Sequence, residues 1–278
     1  ADVEEARALL RAAGSEARIV AKIERSEAIP RLEEIILASD AVMVARGDLG
    51  VEVGYAQLTG LQKQILHMAR SLDRVTITAT QMMESMIHSP VPTRAEVSDV
   101  ANAVLDGSDA VMLSGESAVG KYPSRAVEAM AEVIEGAEKY QLARSSGGER
   151  FEGRVTEFAQ AIAHAVMFTA NHMDVEAIVA LTESGSTPLW MSRIRSDIPI
   201  FAFTRHERTQ RRVALYRGVY PIPFDITHTD PAGLYRAISR ELISRGHVSP
   251  GDELILTLGE FSGVSGGTNT MKLLTVEV

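Results

Sequence analysis

Asp40-Ala41-Val42-Met43-Val44-Ala45-Arg46-Gly47-Asp48-Leu49-Gly50 is the stretch whose reading decides the fold. Val42, Met43 and Val44 form a short apolar run of the kind found in parallel strands covered on both faces. The run passes into a charged, glycine-bearing turn, where Gly47 and Gly50 let the backbone turn sharply and present its amides to an anion. Asp48 hangs a carboxylate at the carboxyl end of the strand, where α/β folds carry their chemistry. The active site is expected there.

The flanking sequence repeats the pattern. Residues 2–13 place Val3, Ala6, Leu9 and Leu10 at helical spacing and stop at Gly14. Arg18 to Glu24 reads as a strand with Lys22 and Glu24 on one face, and Ser26 as the N-cap of a helix through Leu37. Downstream come a helix from Tyr55 to Leu72 and a β-branched strand from Val75 to Gln81. Met82, Met83 and Met86 read as core filling, and Ser89 to Pro92 as a loop. Thr93 and Glu96 are spaced as a capping box for a helix to Leu105. Asp109 to Glu116 reads as a fourth strand with its turn, and Pro123 to Leu142 as a helix. Four such alternations predict right-handed βαβ units and a parallel sheet. Lys22/Glu24, Asp48, Thr80/Gln81 and Ser114/Glu116 fall at the strand ends, as in a (β/α)8 barrel, of which four βα units are the second half. Both outer strands are then open, apolar edges.

Ser145 to Arg150 (SSGGER) is a polar, glycine-rich linker that divides a partial TIM barrel, 1–144, from a smaller α/β domain, 145–278. In the latter the patterning predicts helices at 155–173, 188–195, 207–214 and 231–245. Strands at 177–182, 199–204, 219–224, 253–258 and 271–277 form a mainly parallel sheet.

The 278 residues suggest about two domains, and a hydrophobic share of 45% supports sizeable cores. No apolar run approaches the roughly 18 residues of a membrane span. A balance of 28 basic to 37 acidic residues, net −9, argues against nucleic acid as a partner. The absence of cysteine excludes disulfides and thiolate metal sites and is compatible with a reducing compartment. No signal peptide opens the chain. It begins at Ala1 inside a helical pattern, and the expectation is a part of a longer cytoplasmic polypeptide with no membrane partner.

Glu24 and Asp48 are hard oxygen ligands on adjacent strands, suited to Mg²⁺ or Mn²⁺ completed by water and substrate. Lys22 beside them suits a developing enolate or a transferring phosphoryl group. The same three side chains also read as rim ion pairs. Thr80 suits holding a substrate carboxylate or relaying a proton, and it also suits a cap or a β-propensity choice, as does Ser114. Arg46 binds an anion or braces the turn by pairing with a carboxylate. Thr182-Glu183-Ser184-Gly185-Ser186-Thr187 follows a strand and opens a helix at Pro188, either a phosphate site or an ordinary cap. Gly259 to Gly267 is a loop able to close over a ligand or simply mobile. The seven histidines show no metal-ligand spacing.

IVAKIE (19–24), MVARGDLGVE (43–52), TATQMMESM (78–86), PTRAEVSDVANAVLDGSDAVMLSGESAVGKYP (92–123) and TNTMKLLTV (268–276) resemble pyruvate kinase. The motifs are long, run in order and span nearly the whole chain. They cover barrel strands five to eight and the C-terminal regulatory domain of that family. The resemblance implies glycolytic phosphoryl transfer from phosphoenolpyruvate to ADP, giving pyruvate and ATP. By matching motif, it makes Lys22 the stabiliser of the phosphoryl group and enolate, and Glu24 and Asp48 the Mg²⁺ ligands. Gly47 and Asp48 become amide donors, Thr80 the holder of the substrate carboxylate, and Thr80 with Ser114 a proton-passing network. The 182–187 turn, Thr182 to Thr187, resembles the pocket for an activating phosphate ester. The tryptophan and arginine that grip a second phosphate have no counterpart, which points to a sugar monophosphate or AMP.

The resemblance also implies an allosteric, cytoplasmic homotetramer. The family's first four barrel strands, its K⁺ ligands, an arginine on the substrate phosphate and its lid domain fall outside this sequence. The chain by itself is therefore expected to be inactive. Two other readings stand beside this one: a metal-dependent pyruvate/phosphoenolpyruvate aldolase, and a sugar-phosphate-binding regulatory module with a vestigial half barrel.

Overall fold

The computed structural model describes residues 2–142, 155, 157–225, 233–259 and 267–277. The chain divides into two compact units, Ala1–Arg144 and Ser145–Val278. The 145–150 linker and residues 260–266 of the glycine-rich loop lie outside the described residues.

The first unit begins with α1 (Asp2–Ala12), β1 (Val20–Ile23), a 3-10 segment over Ser26–Arg31, α2 (Leu32–Ala38) and β2 (Ala41–Ala45). It continues with α3 (Arg46–Val53), α4 (Tyr55–Ser71), β3 (Val75–Ala79) and a 3-10 turn over Glu84–Ile87. It ends with α5 (Arg94–Leu105), β4 (Ala110–Met112), α6 (Gly115–Ala118) and α7 (Pro123–Leu142). The four strands lie side by side in sequence order and every pairing is parallel. This is the alternation expected of half a barrel.

Burial follows position in that sheet. β2 is buried but for Met43, and β3 is buried throughout. Of the edge strands, each with one neighbour, β4 is part-buried throughout and β1 runs from exposed Val20 to buried Ile23. Val42, Val44, Ile23, Ile36, Ile65 and Leu66 form the core between sheet and helices, each contributing about 1.5–3 kcal/mol. Met82, Met83 and Met86 are fully buried against α5 and α7, where their unbranched side chains fill an irregular space. The Thr93/Glu96 capping box is present at the start of α5.

Three local readings need correction. The RGDLG segment is a helix rather than a turn, and its Gly50 serves packing. A Cβ on Gly50 would meet the Tyr55 ring at 3.0 Å. The third strand stops at Ala79, because Thr80 and Gln81 take φ values of 67° and 54°. Ser26 is not an N-cap. Pro30 removes an amide, a 3-10 segment precedes α2, and the Ser26 hydroxyl donates to Glu52 at 3.0 Å.

The second unit contains α8 (Phe158–Ala170), β5 (Ala177–Leu181), α9 (Ser186–Ser192), β6 (Ile200–Thr204) and α10 (Glu207–Val213). β7 (Val219–Pro223), α11 (Leu234–Ser244), β8 (Glu253–Gly259) and β9 (Thr268–Thr275) follow. The sheet order is β7-β6-β5-β8-β9, parallel except for the antiparallel β8–β9 pair. β5 and β6 are buried throughout and read in sequence as continuous apolar runs. Among the described residues, no helix of either unit is long and apolar enough to cross a membrane.

Candidate active site

Register brings the site together. Ile23 pairs with Val44 and Ala45 with Ala79, so Glu24, Arg46–Gly47 and Thr80 emerge at the same edge of the sheet. Lys22, one pleat below Glu24 on the same face, directs its ammonium between two carboxylates. It contacts Glu24 and lies 3.4 Å from Asp48. Glu24, and after it Asp48, hold the Lys22 ammonium above its ordinary value of 10.5. The lysine is half-exposed at 48%, and Asp48 is open at 66%. This exposure leaves room for a ligand.

The Glu24 carboxylate is placed differently. Its Oε2 is buried and meets no aligned hydrogen-bond donor, although the Lys22 ammonium pairs with it electrostatically. A buried carboxylate oxygen that pairs with an ammonium, beside an exposed carboxylate, is the hard-donor chemistry that suits a divalent cation. Mg²⁺ commonly takes one or two carboxylates and completes its shell with water and phosphate oxygens. Among the described residues, no group of three or more His, Cys, Asp or Glu gathers into a fuller cage.

Thr80 is held from several directions. Its Oγ1 accepts the Gly47 N–H at 2.8 Å. Its carbonyl accepts from Arg46 Nη2 at 2.9 Å and Nε at 3.2 Å, and Nη2 also reaches the Gln81 carbonyl at 2.9 Å. Arg46 Nη1 pairs with Asp99 at 2.5 Å, so the arginine pairs with a carboxylate as expected but braces the Thr80–Gln81 backbone rather than its own segment. The Gly47 amide is thus engaged by Thr80, and Asp48 follows it in the first turn of α3, where helix amides lack intrahelical acceptors.

Ser114 lies beyond the end of β4, and its N–H donates to Glu116 at 2.7 Å. Glu116, 2% exposed, also accepts the Met83 N–H at 3.0 Å. No hydrogen bond joins Ser114 to Thr80 among the described residues. Gln81 and Glu116 read in sequence only as polar groups at strand ends, and Asp99 is not singled out. The Arg46–Asp99 and Met83–Glu116 contacts are long-range, while the Ser114–Glu116 bond and the positive φ of Gln81 are local but carry no residue-type signal.

In the second unit the 182–187 turn is tightly built. Gly185 has φ 84°, and its N–H donates to Thr182 Oγ1 at 2.9 Å. Ser184 and Ser186 share a hydroxyl bond at 3.0 Å, and Thr187 bonds Thr268 at 2.8 Å. The Glu183 carboxylate pairs with His206 and lies 3.5 Å from Arg205, while Arg212 donates to the Ser184 carbonyl at 2.7 Å. Helix α9 starts at Ser186, two residues before the predicted Pro188. His206, Arg205 and Arg212 are basic groups that the chain pattern did not tie to this turn.

Residues 1–127 match the family model described as pyruvate kinase, barrel domain, and residues 160–274 match pyruvate kinase, alpha/beta domain. The chain belongs to the pyruvate kinase family. It is 52% identical over 280 residues to pyruvate kinase II of Salmonella typhimurium, covering 99% of this chain and 58% of that protein. Identity is 50% over 279 residues with the pyruvate kinase of Buchnera aphidicola subsp. Baizongia pistaciae, at the same coverage. It is 49% over 281 residues with that of Haemophilus influenzae, covering 100% of this chain and 58% of that enzyme. The chain thus spans a little over half the length of these relatives. Neither the aldolase reading nor the sensor reading draws support from them.

Proposed function

We propose that the protein carrying this chain is a glycolytic phosphotransferase that makes pyruvate and ATP from phosphoenolpyruvate and ADP. The observation that carries this reading is the convergence of Lys22, Glu24, Asp48 and Thr80 at the carboxyl ends of adjacent parallel strands. Residues 1–144 are taken as part of the catalytic barrel and 145–278 as a regulatory domain.

The Lys22 ammonium faces the transferring phosphoryl group and the enolate, where a fixed positive charge lowers the barrier most. Glu24 and Asp48 would hold a divalent cation, which would add positive charge where the phosphoryl group is transferred. Phosphoenolpyruvate seats its carboxylate at the amino end of α3, where the helix dipole favours an anion. Thr80 bonds that carboxylate, and Gly47 orients the Thr80 hydroxyl. Thr80 and Ser114 deliver a proton to the enolate carbon; with no bond between them, the relay runs through solvent between the two hydroxyls.

Mg²⁺ or Mn²⁺ binding by Glu24 and Asp48, and a K⁺ requirement met by residues outside this sequence, belong to the same reading. So do a cytoplasmic homotetramer and a sugar monophosphate or AMP effector at Thr182–Thr187. Four parallel strands with two open edges leave the barrel unclosed, so a protein limited to residues 1–278 is inactive. The test is a lactate-dehydrogenase-coupled pyruvate assay on the full-length enzyme and on residues 1–278. Mg²⁺-dependent turnover by the former alone supports the proposal. A full-length enzyme that forms no pyruvate overturns it.

A further inference from the structure

Arg46 and Gly47 are consecutive residues, and both grip Thr80. The Gly47 amide holds the Thr80 hydroxyl at 2.8 Å, while the Arg46 guanidinium holds the Thr80 carbonyl through two nitrogens. The same guanidinium spans to the Gln81 carbonyl at 2.9 Å. Thr80 and Gln81 are two of the three non-glycine residues with positive φ among the described residues. For a β-branched residue that conformation is an outlier, and it persists only where the surroundings impose it.

Arg46 is 6% exposed on its side chain, and its far edge is anchored by Asp99, which is 41% exposed. A planar fork of fixed donors can span two carbonyls and a carboxylate at once, whereas an ammonium cannot. We propose that Arg46 is a positioning residue of the active site: its guanidinium fixes the left-handed Thr80–Gln81 backbone and so aims the Thr80 hydroxyl. Asp99 sets the guanidinium in turn. This rests on the assignment of Thr80 to the reacting centre.

The test is a double-mutant cycle in the full-length enzyme with Arg46→Lys and Thr80→Val. Arg46→Lys keeps a positive charge near Asp99 but loses the fork. With Thr80 intact it is expected to lower kcat about ten- to a hundredfold, because sub-ångström misplacement of a reacting group has effects of that size. KM for ADP stays unchanged. In the Thr80→Val background the same change should alter kcat by less than about twofold, the non-additivity expected of residues acting through one another.

Losses that multiply independently in the two backgrounds overturn the positioning role and leave the assignment of Thr80 intact. A Thr80→Val enzyme with full activity overturns both. If Arg46→Lys yields no folded enzyme, Asp99→Asn carries the same cycle. It is expected to give a several-fold loss of kcat that vanishes in the Thr80→Val background, and a loss that persists there overturns the proposal.

Discussion

The Thr80 hydroxyl accepts the Gly47 amide at 2.8 Å while Thr80 itself stands at φ 67°. This bond joins the residue after β3 to the first turn of α3, beside the bonds that the Arg46 guanidinium makes to the Thr80 and Gln81 carbonyls. Valine at this position keeps the branched shape but offers no acceptor. Thr80→Val in the full-length enzyme is expected to lower kcat/KM for phosphoenolpyruvate about a hundredfold, and Thr80→Ser to retain most of it. A coupled pyruvate assay reads both, and a fully active Thr80→Val enzyme would remove Thr80 from the site.

Lys22 is exposed enough that solvent screens its ion pairs, which therefore contribute little to folding. Lys22→Met is expected to abolish turnover while moving Tm by less than about 4 °C. Calorimetry beside the assay separates the two effects. Retained turnover would assign the charge stabilisation elsewhere.

Glu24 Oε2 is buried and pairs with the Lys22 ammonium. Glu24→Gln removes the negative charge without changing size, and Mn²⁺ affinity is expected to drop by more than about tenfold, read by titration calorimetry on the full-length enzyme. EDTA should abolish turnover, and excess Mg²⁺ should restore it. Unaltered Mn²⁺ affinity in the variant would take Glu24 out of the ligand set.

Glu96 ties the 3-10 turn over Glu84–Ile87 to α5. Its carboxylate accepts the Ser85 N–H at 2.7 Å and hydroxyl at 2.5 Å, and the Thr93 N–H at 2.7 Å and hydroxyl at 2.8 Å. Burial works against the charged form, but the Ser85 and Thr93 donors outweigh it and hold the carboxyl below its usual 4.5. A depressed folded-state pKa adds stability that is fully present above the unfolded value and is lost as pH falls through the folded one. Glu96→Gln is thus expected to lower stability at neutral pH, by about 1 kcal/mol as for a lost cap. The gap should narrow as pH drops below 4.5. Denaturant unfolding at neutral and acid pH checks this, and a gap that widens in acid would contradict it.

Gly185 combines φ 84° with a Val213 methyl that an added Cβ would meet at 2.8 Å. Gly185→Ala is expected to destabilise the second unit by about 1–3 kcal/mol. It should also abolish activation by a phosphate ester, measured as the shift in phosphoenolpyruvate KM with and without the ester. Wild-type activation in this variant would place the effector elsewhere.

Much of the fold was legible because its signals are local. Val42–Val44 and Ala177–Leu181 read as buried parallel strands from composition alone, and Thr93/Glu96 announced its own capping box. Lys22 and Glu24 fall on one face by simple alternation. The helical state of Arg46–Val53 was not legible, because two glycines in eight residues oppose a helix by propensity. Packing of Gly50 against Tyr55 overrides that preference. The left-handed Thr80–Gln81 pair was hidden for a similar reason, since Val75–Gln81 is a uniformly good strand sequence.

By itself the sequence determined the alternation of strands and helices, the apolar faces, and the residue types at the carboxyl ends of the strands. Those follow from periodicity and propensity within a few neighbouring residues. Tertiary structure decided which of these residues meet. The Arg46 fork reaches carbonyls 34 and 35 positions away, and Asp99 meets Arg46, and Glu116 the Met83 amide, only in the folded unit. Such contacts depend on strand register and on burial that removes water as a competitor, and neither is a property of any short stretch of chain.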